Sequence, residues 1–210
     1  MLYKLGWHLG EVFYKDRLAK TNETFDKGDI EVYAYSFEKF WELVLPLTLF
    51  QVVGILIGAG FETLFFLLAL LSLRFTAGGF HAKTSGVCFL SSSSIYAVFL
   101  IFLFFVPHWM IGYVALICVC LSVVPILKIA PYIDKGNPLG KRLTKVCRKR
   151  ARAILVIQIV VIVVLCSVIF ISNFIGFPIA DIIARICLSI ALGQFTAAVS
   201  LVLAKVTNQE

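Results

Sequence analysis

The 210-residue chain is 60% hydrophobic, with a mean hydropathy of +0.97 and a formal net charge of +7. Apolar content this far above that of soluble domains, gathered into runs of about twenty residues, excludes an ordinary soluble fold and describes a polytopic membrane protein. The charge is uneven: residues 1–42 hold eight acids and six bases, whereas residues 128–152 hold nine bases against Asp134 alone. Between apolar runs, such a cluster reads as a cytoplasmic membrane loop rather than a nucleic-acid site, and no nucleic-acid partner is expected.

Residues 1–42 form a cytoplasmic or interfacial leader. Leu2, Leu5, Leu9, Val12 and Phe13 recur at three- and four-residue steps over 2–18, predicting an amphipathic helix with Trp7, Tyr3 and Tyr14 suited to a headgroup interface. No cleavable signal peptide is visible. A polar break at 21–28 precedes a second helical pattern over 29–42. The membrane domain, 43–204, opens with a span at 43–61, with Pro46 in its first turn, where a missing N–H costs little. Gly54 and Gly58 form a small-xxx-small pair that suits either a dimer seam or an internal contact.

The second span, 63–77, has an apolar core, 64–71, too short to cross alone. It either includes Ser72–Ala77, with Arg74 snorkelling to water, or forms a re-entrant hairpin. Spans follow at 87–106, 110–127, 153–174 and 179–204, with a tail at 205–210. The expected fold is all-α, with about six transmembrane or re-entrant helices. Arg74, Lys83, the bases of 128–152 and Lys205 fall on one side. The connections near Gly60, Pro107-His108 and 173–178 contain no Lys or Arg. Six crossings with both termini cytoplasmic satisfy the positive-inside rule. Near the outer end of the last span, Asp181 and Arg185 are spaced i,i+4, as for a structural ion pair.

Polar, reactive and flexible residues interrupt this series at 74–88. Of three histidines, only His81 has a nucleophile close by, Cys88. An imidazole that takes the thiol proton leaves a thiolate able to attack a peptide carbonyl. On a straight helix seven residues separate Cα atoms by about 10.5 Å, whereas an imidazole–thiol hydrogen bond needs roughly 3–3.5 Å. A working pair therefore requires a break, which Gly78, Gly79 and Gly86 can supply. A loop is expected to carry His81, with Cys88 in the first turn of the third span. Ser85 has no nearby carboxylate to complete a triad, and Cys147 lies among cations with no base. The hydroxyls of Ser91–Ser94 are expected to satisfy helix carbonyls. Four cysteines lie within apolar runs, and three scattered histidines without a His-Glu-x-x-His pattern do not suggest zinc. No metal or other cofactor is expected.

Arg74, Gly78-Gly79, His81-Ala82, Thr84-Ser85 and Cys88 form one block. Ala130-Pro131, Lys135, Pro138, Lys141-Arg142 and the run 148–152 form another, and Tyr33-Ala-Tyr35 precedes the first span. Together they resemble the accessory gene regulator protein B (AgrB) family of Gram-positive quorum sensing. The resemblance implies a cysteine endopeptidase of the bacterial plasma membrane, multi-pass in the lipid bilayer, acting on an AgrD-like propeptide. Cys88 as nucleophile and His81 as base would remove the propeptide's C-terminal tail. The acyl group would then pass to a cysteine or serine of the same peptide, closing a thiolactone or lactone. The resemblance also implies a homodimer and an acidic tail on the substrate, for which Arg74, Lys141 and Arg142 are the candidate binding residues. The chief alternative is a small peptide transporter using 74–88 as a gate without covalent chemistry.

Overall fold

The structure, a computed structural model, describes residues 7–8, 27–78, 85–132, 141–175 and 180–207, with a few helical side chains among them left undescribed. These contain helices α1 (Lys27–Leu56), α2 (Gly60–Ala77), α3 (Ser85–Phe105), α4 (His108–Ile129), α5 (Lys141–Ile175) and α6 (Ala180–Thr207). Each includes a stretch long and apolar enough to cross a membrane, and the described residues contain no strand. The chain is an all-α polytopic membrane protein. Trp7 and His8 are helical, and the rest of the predicted 2–18 helix lies outside the described residues.

The chain divides into two compact units, Met1–Leu49 and Phe50–Glu210. In the first, Ile30 and Ala34 are buried one turn apart, and Lys39 Nζ donates to Glu42 Oε2 at 2.7 Å. Pro46 lies well inside α1 rather than in a first turn, because helix starts at Lys27, far ahead of the apolar run. The helix continues through it at the cost of the bond to the Glu42 carbonyl.

The second unit is built around α6, which packs against α2, α3, α4 and α5. The most apolar window of α6 is 67% buried, against 17% in both α3 and α5, so α6 is the hub and those two helices are the lipid-facing wall. Small residues permit this. A Cβ on Gly193 would lie 2.6 Å from the Phe66 carbonyl oxygen and 2.9 Å from Ala69 Cβ, so the backbones of α2 and α6 approach closely there.

Gly54 and Gly58 do not share a helix face. Gly58 turns the chain after α1 with φ 75°, and Gly54 is an internal contact whose Cβ would meet Thr63 Cβ at 2.8 Å. Beside it the Tyr96 hydroxyl donates to the Phe50 carbonyl at 2.9 Å and lies 3.1 Å from Thr63 Oγ1, while the Tyr96 ring stacks on Phe50.

Helix α2 resolves the choice between a crossing and a hairpin. Glu62, in its first turn, pairs with Arg185 at 3.2 Å. At its other end Leu73 and Ala77 share a core cluster with Leu201. Residues 185 and 201 of α6 are separated by about 24 Å of helix axis, so α2 runs the length of the bundle. Arg185 also lies over the Phe104 ring, 5.5 Å from its centroid. Its long-range acid partner is thus Glu62, brought from another helix.

Within the expected basic loop 128–152, residues 128–129 and 141–152 are helix. Helix α4 continues to Ile129, and α5 begins at Lys141, twelve residues before the apolar run. At 35 residues α5 is about 52 Å long, against a hydrocarbon core of roughly 30 Å, so its basic head projects beyond the span.

Candidate active site

The bundle gathers the ends of several helices where the charged residues are. Leu73 and Ala77 of α2, Ile126 of α4, Ala151 and Leu155 of α5 and Leu201 of α6 form one buried cluster, joined by Ala130. This apolar floor holds the two motif blocks together. The Tyr132 N–H donates to the Ala77 carbonyl at 2.9 Å, tying the chain after the Ala130-Pro131 peptide to the last residue of α2. Gly78 then ends the helix with φ 79° and ψ −166°, its N–H donating to the Arg74 carbonyl at 3.1 Å. That conformation belongs to glycine. A Cβ would also meet the Tyr132 carbonyl oxygen at 3.0 Å.

Arg74 lies in the last turn of α2 and is half-buried. Cys88 is the fourth residue of α3, hence in its first turn, and is half-buried with a free thiol. Phe104, near the far end of α3, lies over Arg185 at the opposite end of the bundle, so Cys88 falls at the end where α2 finishes. First-turn amides of α3 have no intrahelical acceptor, which makes this a favourable place for a developing anion. Ser91 Oγ donates to the Cys88 carbonyl at 2.9 Å and Ser94 Oγ to the Leu90 carbonyl at 2.9 Å, as expected of hydroxyls serving the helix. His81, with Gly79 and Lys83, lies outside the described residues, and so does the predicted loop that carries it.

Lys141 and Arg142 open α5, with side chains outside the described set. Farther along, Lys145, Arg148, Lys149 and Arg152 are exposed at i, i+3, i+4 and i+7, forming one helical face. Ala151 and Leu155, on another face, are buried in the floor. The cations are therefore arrayed on a rigid element whose other side is fixed to the bundle.

The sequence pattern of the accessory gene regulator B family matches residues 14–201, nearly the whole chain. The protein belongs to the accessory gene regulator B family. Membership gives this AgrB-family protein a general role in processing a quorum-sensing propeptide at the membrane. No curated protein and no solved structure matches the chain significantly.

Two cavities lie away from Cys88. A groove of about 590 Å³ between α4 and α5 is lined by apolar side chains with Cys166. A smaller one, about 270 Å³, lies at the Arg185 end beside Phe104 and Pro107. Sequence reasoning passed over two buried amides in this AgrB-family bundle. Gln158 Nε2 donates to the Ala69 carbonyl and to Ser72 Oγ, both at 3.0 Å. Gln194 Nε2 donates to Ser122 Oγ at 2.6 Å. The signal was an amide inside an apolar run, where a polar group needs a partner on another helix.

Proposed function

We propose that the protein is a cysteine endopeptidase that removes the C-terminal tail of an AgrD-like propeptide and closes the remaining peptide into a thiolactone or lactone. The supporting observation is the position of Cys88: a half-buried thiol in the first turn of α3, seven residues after His81 and at the end of the bundle that carries the basic face. His81 takes the Cys88 proton as sulfur attacks the scissile carbonyl. The tetrahedral intermediate collapses with breakage of the C–N bond, and His81 returns the proton to the departing amine. The acyl group stays on Cys88 as a thioester. An internal cysteine or serine of the propeptide then attacks that carbonyl as neutral His81 takes its proton, the C–S bond to Cys88 breaks, and the Cys88 thiolate recovers the proton from His81. Water competes for the same thioester, so a site at the edge of the apolar bundle favours ring closure over hydrolysis.

Arg74, Lys141 and Arg142, with the basic face that follows them on α5, hold the acidic tail. The basic end is cytoplasmic, as are both termini, and the membrane is the bacterial plasma membrane. The 1–42 leader lies at its inner surface, and two copies of the chain act as a homodimer. The reading is tested in proteoliposomes with a synthetic propeptide. Cys88→Ala abolishes tail release while membrane insertion is retained. Undiminished processing by that variant would exclude covalent catalysis and favour a transporter.

A further inference from the structure

Between residues 153 and 172, α5 carries a single amide, Gln158. It is 7% exposed, and its Nε2 makes two bonds to one short stretch of α2, the Ala69 carbonyl and Ser72 Oγ. That stretch is already unusual. Ser72 Oγ donates back to the Ala69 carbonyl at 3.1 Å, and Thr76 Oγ1 donates to the carbonyls of Ser72 and Leu73 at 3.1 and 3.2 Å. Hydroxyls that bond back to i−3 and i−4 carbonyls compete with the N–H ladder and loosen a helix. Here the loosened turns carry Arg74 and end at Ala77 and Gly78, where the reactive segment begins. Gln158 grips them from a neighbouring helix.

The grip lies at matched depth. Six residues separate Ser72 from Gly78 on α2, and six separate Gln158 from Arg152 on α5, about 9 Å in each case. The amide adds directional bonds between the helix that leads to His81 and the helix that presents the cations. The same two helices are also joined by apolar contacts. The apolar floor of Leu73, Ala77, Ala151 and Leu155 holds α2, α5 and their neighbours together, beginning at the residue after Ser72 and one turn before Gln158.

We propose that Gln158 is a positioning residue for the reaction at Cys88, holding the end of α2 in register with the basic face of α5 so that a bound propeptide meets the reactive segment in attacking geometry. This rests on the peptidase reading above. Misplacement by about an ångström at a reacting centre costs rate rather than binding.

The test uses full-length protein in nanodiscs and a synthetic propeptide, following tail release and Cys88 thioester by mass spectrometry. Gln158→Leu keeps bulk and removes the donor. It is expected to lower the acylation rate at saturating propeptide about tenfold or more, with KM within about twofold of wild type and an unchanged unfolding temperature. Gln158→Glu keeps the shape of the side chain and, as the carboxylic acid, an O–H donor; it is expected to restore the rate to within about threefold of wild type. An unchanged rate in Gln158→Leu, a loss confined to KM, or a loss that follows a lowered unfolding temperature and is not rescued by Gln158→Glu would overturn the proposal. If wild type forms no thioester and Cys88→Ala releases the tail equally well, the peptidase reading fails and this inference with it. A wild-type thioester with Gln158→Leu indistinguishable from wild type overturns the inference alone.

Discussion

The N–H of Tyr132 donates to the carbonyl of Ala77 at 2.9 Å, joining the strap after α4 to the last residue of α2. A helix end normally leaves four carbonyls without donors. In this protein one of them is satisfied by the second motif block, and Gly78 turns away beneath it. The entrance to the reactive segment is thus set by three local features: a core cluster, a backbone bond and a glycine.

Gly78→Ala tests that entrance. The backbone conformation at φ 79° and ψ −166° is open almost solely to glycine, and the new Cβ would meet Tyr132. The strain is of order 1–3 kcal/mol. Processing is expected to fall sharply while the protein still inserts, and membrane-fraction abundance with tail release measures both. Wild-type processing would mean that the turn is not needed.

The Glu62–Arg185 pair at the opposite end should behave as a structural unit. Glu62 is 6% exposed, and removing one partner of a buried pair leaves the other charge uncompensated, a loss of several kcal/mol. Glu62→Ala and Arg185→Ala are each expected to lower the unfolding temperature in detergent. The double variant should lose less than the sum, with a coupling of about 1–3 kcal/mol. Additive losses would contradict the contact.

Cys166 and Cys187 place their sulfurs 3.7 Å apart across α5 and α6. A membrane-permeable oxidant should join them within one chain, protecting both from alkylation. Cys187→Ala should abolish the link. Failure to cross-link wild type would contradict the packing of α5 on the hub.

Charge reversal at Lys145 and Arg148 probes the basic face. Both are exposed, so no stability change is expected. KM for an acidic-tailed propeptide should rise about tenfold at low ionic strength and the effect should shrink in salt. A salt-independent effect would argue against electrostatic capture.

Most of the architecture was legible because lipid demands long apolar runs, and these stand out in any sequence. What hydropathy does not mark is where a helix ends. The charged head of α5 reads as loop, and the helical pattern over 29–42 reads as separate from the first span, which puts Pro46 in a first turn although one helix runs from Lys27. Spacing misled for Gly54 and Gly58 because four residues mean one helix face only if the helix continues, and α1 stops at Leu56. Arg185 has an acid visible four residues earlier, Asp181. Its long-range partner Glu62 comes from a helix far back in the chain, which local pattern does not show. Gln158 was visible as a polar residue in an apolar run, but its acceptors on α2 were not. At the site itself, motif spacing anticipated Cys88 in the first turn of α3, while the union of Ala77 with Tyr132 required the fold.

The central claim, that Cys88 holds the peptide covalently, is tested most directly by the intact mass of the protein after rapid acid quench during turnover. Wild type is expected to gain the mass of the propeptide without its tail, in a hydroxylamine-labile bond. His81→Ala should lose that adduct through its rate of formation and Cys88→Ala should lose it altogether. Release of the tail with no adduct on wild type at any time, or an adduct of equal yield on Cys88→Ala, would contradict the account.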